Sequence, residues 1–204
     1  MDVFLPEAET KFCTQKNLAA ELTGIRQYYD GMDPVVVALH GSASLPLSMW
    51  RIAASLRRCG CTVHTPAYGF LGFGRHQPIL DRLAAKLSHL PRFDIVGHSL
   101  GGLIGLQLAA RPEFAGKIGT IVGLGANWRG MDTWYSPRID APAAPGVRIV
   151  SIVSDGDRVV PQWSSRLGEV VEVAKVSHSG LRALDHLVVQ AIPATRARST
   201  IAGS

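Results

Sequence analysis

Apolar residues follow two rhythms along this chain, one helical and one strand-like. Leu18, Leu22, Ile25 and Tyr29 recur at helical spacing and predict an amphipathic helix over residues 15–29, which Gly31 and Pro34 break. Val35 to Leu39 is a continuous apolar run rich in valine, as expected of a strand buried on both faces. A helix is predicted over residues 47–58, with Trp50, Ala53, Ala54 and Leu56 on its apolar face and Gly60 ending it. A strand over 61–65 and a glycine- and aromatic-rich loop over 66–75 lead to a helix over 79–90. Strands follow at 93–97, 118–124, 147–153 and 170–176, with helices at 100–110 and 181–192.

Strand and helix thus alternate about six times. Parallel pairing needs such crossovers, so the expected class is α/β: about six mostly parallel strands with helices on both faces. Neither a repeat nor a linker divides the chain. One domain is expected over residues 1–204, with a helical extension at 1–33 and a core at 34–192. Residues 125–146 form a long irregular stretch, and long loops in compact domains are usually functional.

Composition narrows the class of protein. At 204 residues and 47% hydrophobic content, the chain can bury a core and is not disordered. No apolar run is long enough to span a bilayer. Residues 1–7 lack the basic-then-apolar order of a secretory leader, so a cytoplasmic location is expected. The net charge of +5 comes from scattered Lys and Arg without interleaved aromatics. That reads as a solvated basic surface and predicts no nucleic-acid partner. Cys13, Cys59 and Cys61 offer no spacing framework, and reduced thiols are expected, although Cys13 and Cys59 remain able to meet in space. Nothing in the pattern specifies an oligomeric state.

The most informative stretch is Gly97-His98-Ser99-Leu100-Gly101, set between a predicted strand and a predicted helix. A serine at such a junction sits on a sharp turn, where flanking glycines avoid Cβ clashes. The turn pushes the hydroxyl outward, and the helix N-terminus favours developing negative charge. This predicts a nucleophile and hence a serine hydrolase. A serine needs a base, and the base needs a carboxylate. His178 directly follows the last predicted strand and is the expected base, whereas His186 lies within the closing helix. Asp155 and Asp157 both follow the strand over 147–153 and are both candidate acids, Asp155 being also suited to a turn-stabilising bond. Two backbone N–H groups should hold the oxyanion: that of Leu100 and that of Ser42, or alternatively Ala43, after the first core strand. His40 is expected to brace this loop, and His64, His76 and His89 read as surface or loop residues. No His or Cys cluster has metal-ligand spacing, so neither a metal nor another cofactor is expected. Tyr68, Phe70, Leu71, Phe73, Trp128, Trp134 and Tyr135 are candidate walls of an apolar substrate groove, or packing for the loops that carry them.

These motifs together resemble the α/β hydrolases, and within them the small bacterial lipases without a lid. The likeness spans most of residues 34–192. It is carried by Val35–Gly41, by Gly97–Gly102, by Leu124–Gly130, by Ser151–Asp157 with Ser164–Leu167, and by His178–Leu181. The resemblance implies a triad of Ser99, Asp157 and His178, with Asp157 preferred for its Asp-x-x-Val-Pro context. It implies Ser42 and Leu100 as oxyanion donors and a small-molecule ester or lipid as substrate. Trp128 stands where related chains often carry a smaller residue, which implies a narrower acyl groove. An acyl-thioesterase or acyltransferase would use the same triad, and a non-catalytic binding protein would use the same fold.

Overall fold

The computed structural model describes residues 33–69, 75–132, 138–139 and 144–193. The helix expected over 15–29 and the aromatic residues Phe70, Leu71, Phe73, Trp134 and Tyr135 lie outside these. Among the described residues there are six strands: β1 (Val35–Leu39), β2 (Thr62–His64), β3 (Phe93–His98), β4 (Ile118–Leu124), β5 (Arg148–Ser154) and β6 (Glu169–Val173). They form one sheet in the order β2-β1-β3-β4-β5-β6, and every pairing is parallel.

The near-continuous apolar strands explain the layering. Side chains alternate between sheet faces, so each central strand feeds two cores. Val35, Val37 and Leu39 join Ile95, Ile121 and Ile149 on one face. Helices α2 (His76–Leu87) and α3 (Leu100–Ala109) cover it. Val36 and Ala38 join Val96, Val122 and Val150 on the other face, under α1 (Trp50–Arg58) and α5 (Asp185–Ala191). A short helix α4 (Gln162–Ser165) lies between β5 and β6.

Element boundaries depart from the apolar pattern for identifiable reasons. α2 begins at His76, three residues before the expected Ile79, because Pro78 lies in the first turn, where a helix has no use for its missing N–H. The helix expected over 47–58 starts as a 3₁₀ turn, Pro46–Met49, before α1. Its buried stripe runs Met49, Ile52, Ala53, Leu56, and Trp50 falls off that stripe and is 63% exposed. The closing helix is split into a 3₁₀ turn, Gly180–Ala183, and α5. Asp185 opens α5, where a carboxylate suits the helix N-terminus. It also accepts a hydrogen bond from Arg51 Nε at 2.8 Å. β6 ends earlier than expected, and Lys175 beyond it turns the chain with φ 58°. α4 has neither the length nor the periodicity to show in the sequence. Cys59 and Cys61 are free thiols. No helix among the described residues is long and apolar enough to cross a membrane.

Candidate active site

The C-terminal ends of β1, β3 and β5, with the loops that follow β4 and β6, converge on one cleft of about 300 Å³. Ser42, Ala43, Ser44, His98, Ser99, Asn127, Met131, Val159, His178, Ser179 and Arg182 line it.

Ser99 sits between β3 and α3 with φ 53° and ψ −124°, a backbone conformation that L-residues rarely adopt. Neighbouring chain closes round it. A Cβ on Gly97 would lie 2.3 Å from the Gly102 nitrogen, and one on Gly101 would lie 2.3 Å from the Leu39 carbonyl oxygen. The Ser99 N–H donates to the Leu124 carbonyl at 3.0 Å, which ties the bend to β4. The strain at this serine is thus held by packing on both sides.

His178 and Asp157 meet beside it. His178 Nδ1 lies 2.7 Å from Asp157 Oδ2. A carboxylate only accepts, so Nδ1 carries a proton and it is Nε2 that has the lone pair in the neutral ring. The other carboxylate oxygen accepts from the Val159 and Val160 N–H groups at 2.8 and 3.1 Å. Burial works to raise the Asp157 pKa, but these hydrogen bonds outweigh it and hold the carboxyl below its ordinary value. Asp155 instead accepts from the N–H of Lys175, in the loop after β6. Ser154 Oγ accepts from the Gly156 and Val176 N–H groups at 3.0 and 2.9 Å, pinning the acid loop to the loop that carries His178. His186 is exposed on α5.

Two residues shape this pair without having stood out in the sequence. Gly125, at φ +52°, ends β4 directly behind it. A Cβ there would lie 2.8 Å from Asp157 Oδ2, 3.1 Å from His178 Nδ1 and 2.7 Å from Leu181 Cδ1. Its signal was a glycine placed one residue past a strand end. His98 is 5% exposed, and its Nε2–H donates to the His178 carbonyl at 3.0 Å. Burial, reinforced by the nearby His178 ring, drives the His98 pKa down to about 3. It is a neutral strut between the bend at Ser99 and the loop that carries His178.

The loop after β1 lies against the bend, since a Cβ on Gly41 would be 2.9 Å from the Ser99 Cβ. Ser42 and Ala43 follow it into the cleft, and Ala43 has φ 52°. His40 is buried, with Nδ1 2.9 Å from the Gly41 carbonyl oxygen, and its ring stacks on Tyr68 at 4.2 Å. Leu100 is the first residue of α3, so its N–H has no acceptor within the helix.

Tyr68 and Trp128 do not line the cleft. Tyr68 is 3% exposed, and its hydroxyl donates to the His40 carbonyl, so it braces the loop from beneath. Trp128 is 1% exposed, its ring packs over Gly102 and Gly123, and its Nε1–H donates to Ser151 Oγ at 2.8 Å. Each buried ring gains core area, and each polar end finds a partner inside the fold. Among the described residues the cleft is lined by the small side chains of Ser42, Ala43, Ser44 and Ser179 together with Asn127, Met131, Val159 and Arg182. Asn127, Met131, Ser179 and Arg182 were not anticipated there; no local pattern marks them, because their loops meet only in the folded chain.

No family model matches the chain. A stretch of 37 residues is 60% identical to a protein of Rhizobium rhizogenes (strain K84 / ATCC BAA-868) described as a putative carbamate hydrolase RutD. That stretch is 18% of this chain and 14% of the relative. Solved structures similar to the chain include the ydeN gene product of B. subtilis, with a TM-score of 0.63 at 16% identity, covering 77% of this chain and 97% of that one. Polyneuridine aldehyde esterase gives 0.61 at 12% identity, covering 84% and 100%. The methylesterase protein MES16 from Arabidopsis gives 0.58 at 16%, covering 78% and 98%. With the six-stranded parallel sheet and its strand order, these likenesses make the chain a protein of the α/β-hydrolase fold.

Proposed function

We propose that the protein is a serine hydrolase of carboxylic esters, with Ser99 as nucleophile, His178 as general base and acid, and Asp157 as the carboxylate that orients it. The observation that carries this reading is one cleft shared by a strained Ser99 and a His178 whose Nδ1 is committed to Asp157. Only Nε2 is then available to take a proton.

In the proposed reaction, His178 Nε2 accepts the Ser99 proton as Oγ attacks the ester carbonyl carbon. The C–O double bond opens to a tetrahedral oxyanion, which the N–H groups of Leu100 and of Ser42 or Ala43 stabilise. Collapse breaks the bond to the alcohol, which leaves with the proton from His178. Water then attacks the acyl-enzyme, giving its proton to His178, and the carboxylic acid departs as Ser99 is reprotonated. The lowered Asp157 pKa keeps that carboxylate ionised to stabilise the imidazolium formed on the way.

p-Nitrophenyl esters of graded acyl length test the reading, with acyl-thioesters alongside. Hydrolysis by the wild type, lost in Ser99→Ala, is expected. Full activity of Ser99→Ala, or no turnover of any ester, would overturn it, and turnover of thioesters alone would move the activity to that class.

A further inference from the structure

We propose that Arg182 forms an anion-binding subsite beside the scissile bond, so that favoured esters carry a carboxylate or phosphate on the group that extends towards it. This rests on the hydrolase reading above.

Arg182 lies four residues after His178, on the 3₁₀ turn Gly180–Ala183, and lines the cleft that Ser99 and His178 share. Among the described lining residues it alone has a permanent charge. No carboxylate pairs with it among the described residues. The acidic groups nearby are already engaged, Asp157 with His178 and Asp185 with Arg51 and Ser55. Arg182 Nε–H donates to the Ser179 carbonyl at 3.2 Å, which fixes one edge of the guanidinium and leaves the terminal nitrogens for a ligand.

A second, shallower cavity of about 280 Å³ shares Ser179 and Arg182 with the cleft, and its other walls are Ser48, Trp50, Arg51 and Ala183. Arg51 places a second guanidinium there, partly neutralised by Asp185. The 63% exposed Trp50 adds a flat apolar wall, and Ser48 and Ser179 add hydroxyls. A positive cavity with an apolar side, sharing Ser179 and Arg182 with the catalytic cleft, suits a substrate arm of a few carbons ending in an anion. A planar guanidinium recognises carboxylate or phosphate oxygens by paired hydrogen bonds.

The test compares kcat/KM for matched charged and neutral esters. 4-Nitrophenyl hydrogen adipate against 4-nitrophenyl hexanoate places the charge on the acyl side. 4-Acetoxybenzoate against its methyl ester places it on the alcohol side. Wild type should favour the anion in one of the two pairs. Arg182→Gln should lower that ratio roughly tenfold, as expected for loss of one charge-assisted contact. Arg182→Lys should recover part of it, Arg182→Glu should lower it further, and added salt should shrink the wild-type preference. Thermal melts check that each variant is folded. Ratios equal in wild type and in a folded Arg182→Gln, for both pairs, would overturn the subsite. If Ser99 still reacts with a fluorophosphonate and neutral esters still turn over in that case, the hydrolase reading survives. If neither occurs, both readings fall.

Discussion

Replacing Gly125 by alanine adds one carbon behind the Asp157–His178 pair. That carbon would stand 2.8 Å from Asp157 Oδ2 and 3.1 Å from His178 Nδ1, against about 3.4 Å for ordinary contact. The carboxylate must therefore retreat by about 0.6 Å and the imidazole by about 0.3 Å. A displacement of about 1 Å in a catalytic group costs on the order of 10²-fold, so a fall in kcat of about 10- to 100-fold is expected, with little change in KM. The left-handed φ of +52° adds a stability cost of about 1–2 kcal/mol. Gly116→Ala separates the two effects. That glycine has φ +72° with nothing within 4 Å of an added Cβ, so it carries the backbone cost alone. Steady-state kinetics on a p-nitrophenyl ester and urea unfolding of both variants make the comparison. A Gly125→Ala enzyme as active as Gly116→Ala would refute the idea that this glycine makes room for the pair.

Asp157→Asn should lower kcat by up to about 10⁴-fold, whereas Asp155→Asn, which loses the bond to Lys175, should change stability more than rate; kinetics and melts on both variants distinguish the two roles. His98→Gln should flatten the pH dependence of stability. In the wild type the unfolded state takes up a proton on this residue below its ordinary pKa of 6.5, and the folded state does so only near 3. The contribution is complete above pH 6.5 and is lost as pH falls through that window, with a slope of up to about 1.4 kcal/mol per pH unit. Urea melts from pH 7 to 4.5 measure it, and equal slopes in variant and wild type would contradict the assignment. Trp128→Phe should cost about 1–2 kcal/mol through the lost bond to Ser151 and leave the ester chain-length profile unchanged; a shifted profile would return Trp128 to the groove.

The central strands of the sheet were legible in the sequence because they are buried on both faces. Val35–Leu39 and Ile118–Leu124 have no polar alternation to confuse their period, and their bounds match the expectation. Ser99, His178 and Asp157 were legible because each follows a strand, where a parallel sheet gathers its loops. The structure brings all three together, and it separates Asp157 from Asp155 by their partners. What stayed hidden depends on contacts between distant loops. Arg182 and Asn127 enter the cleft through tertiary geometry alone. Tyr68 and Trp128 take the packing alternative, since a large aromatic in a loop serves a core as readily as a groove, and only the partners of its polar end distinguish the two.

The claim that everything else depends on is that Ser99 is an activated nucleophile driven by His178. Intact mass spectrometry after treatment with a fluorophosphonate tests it directly. The account predicts one added phosphonyl group, mapped to Ser99 in the tryptic peptide spanning residues 93–117, and abolished by Ser99→Ala and by His178→Ala. Label on another residue, or undiminished labelling in either variant, would contradict it.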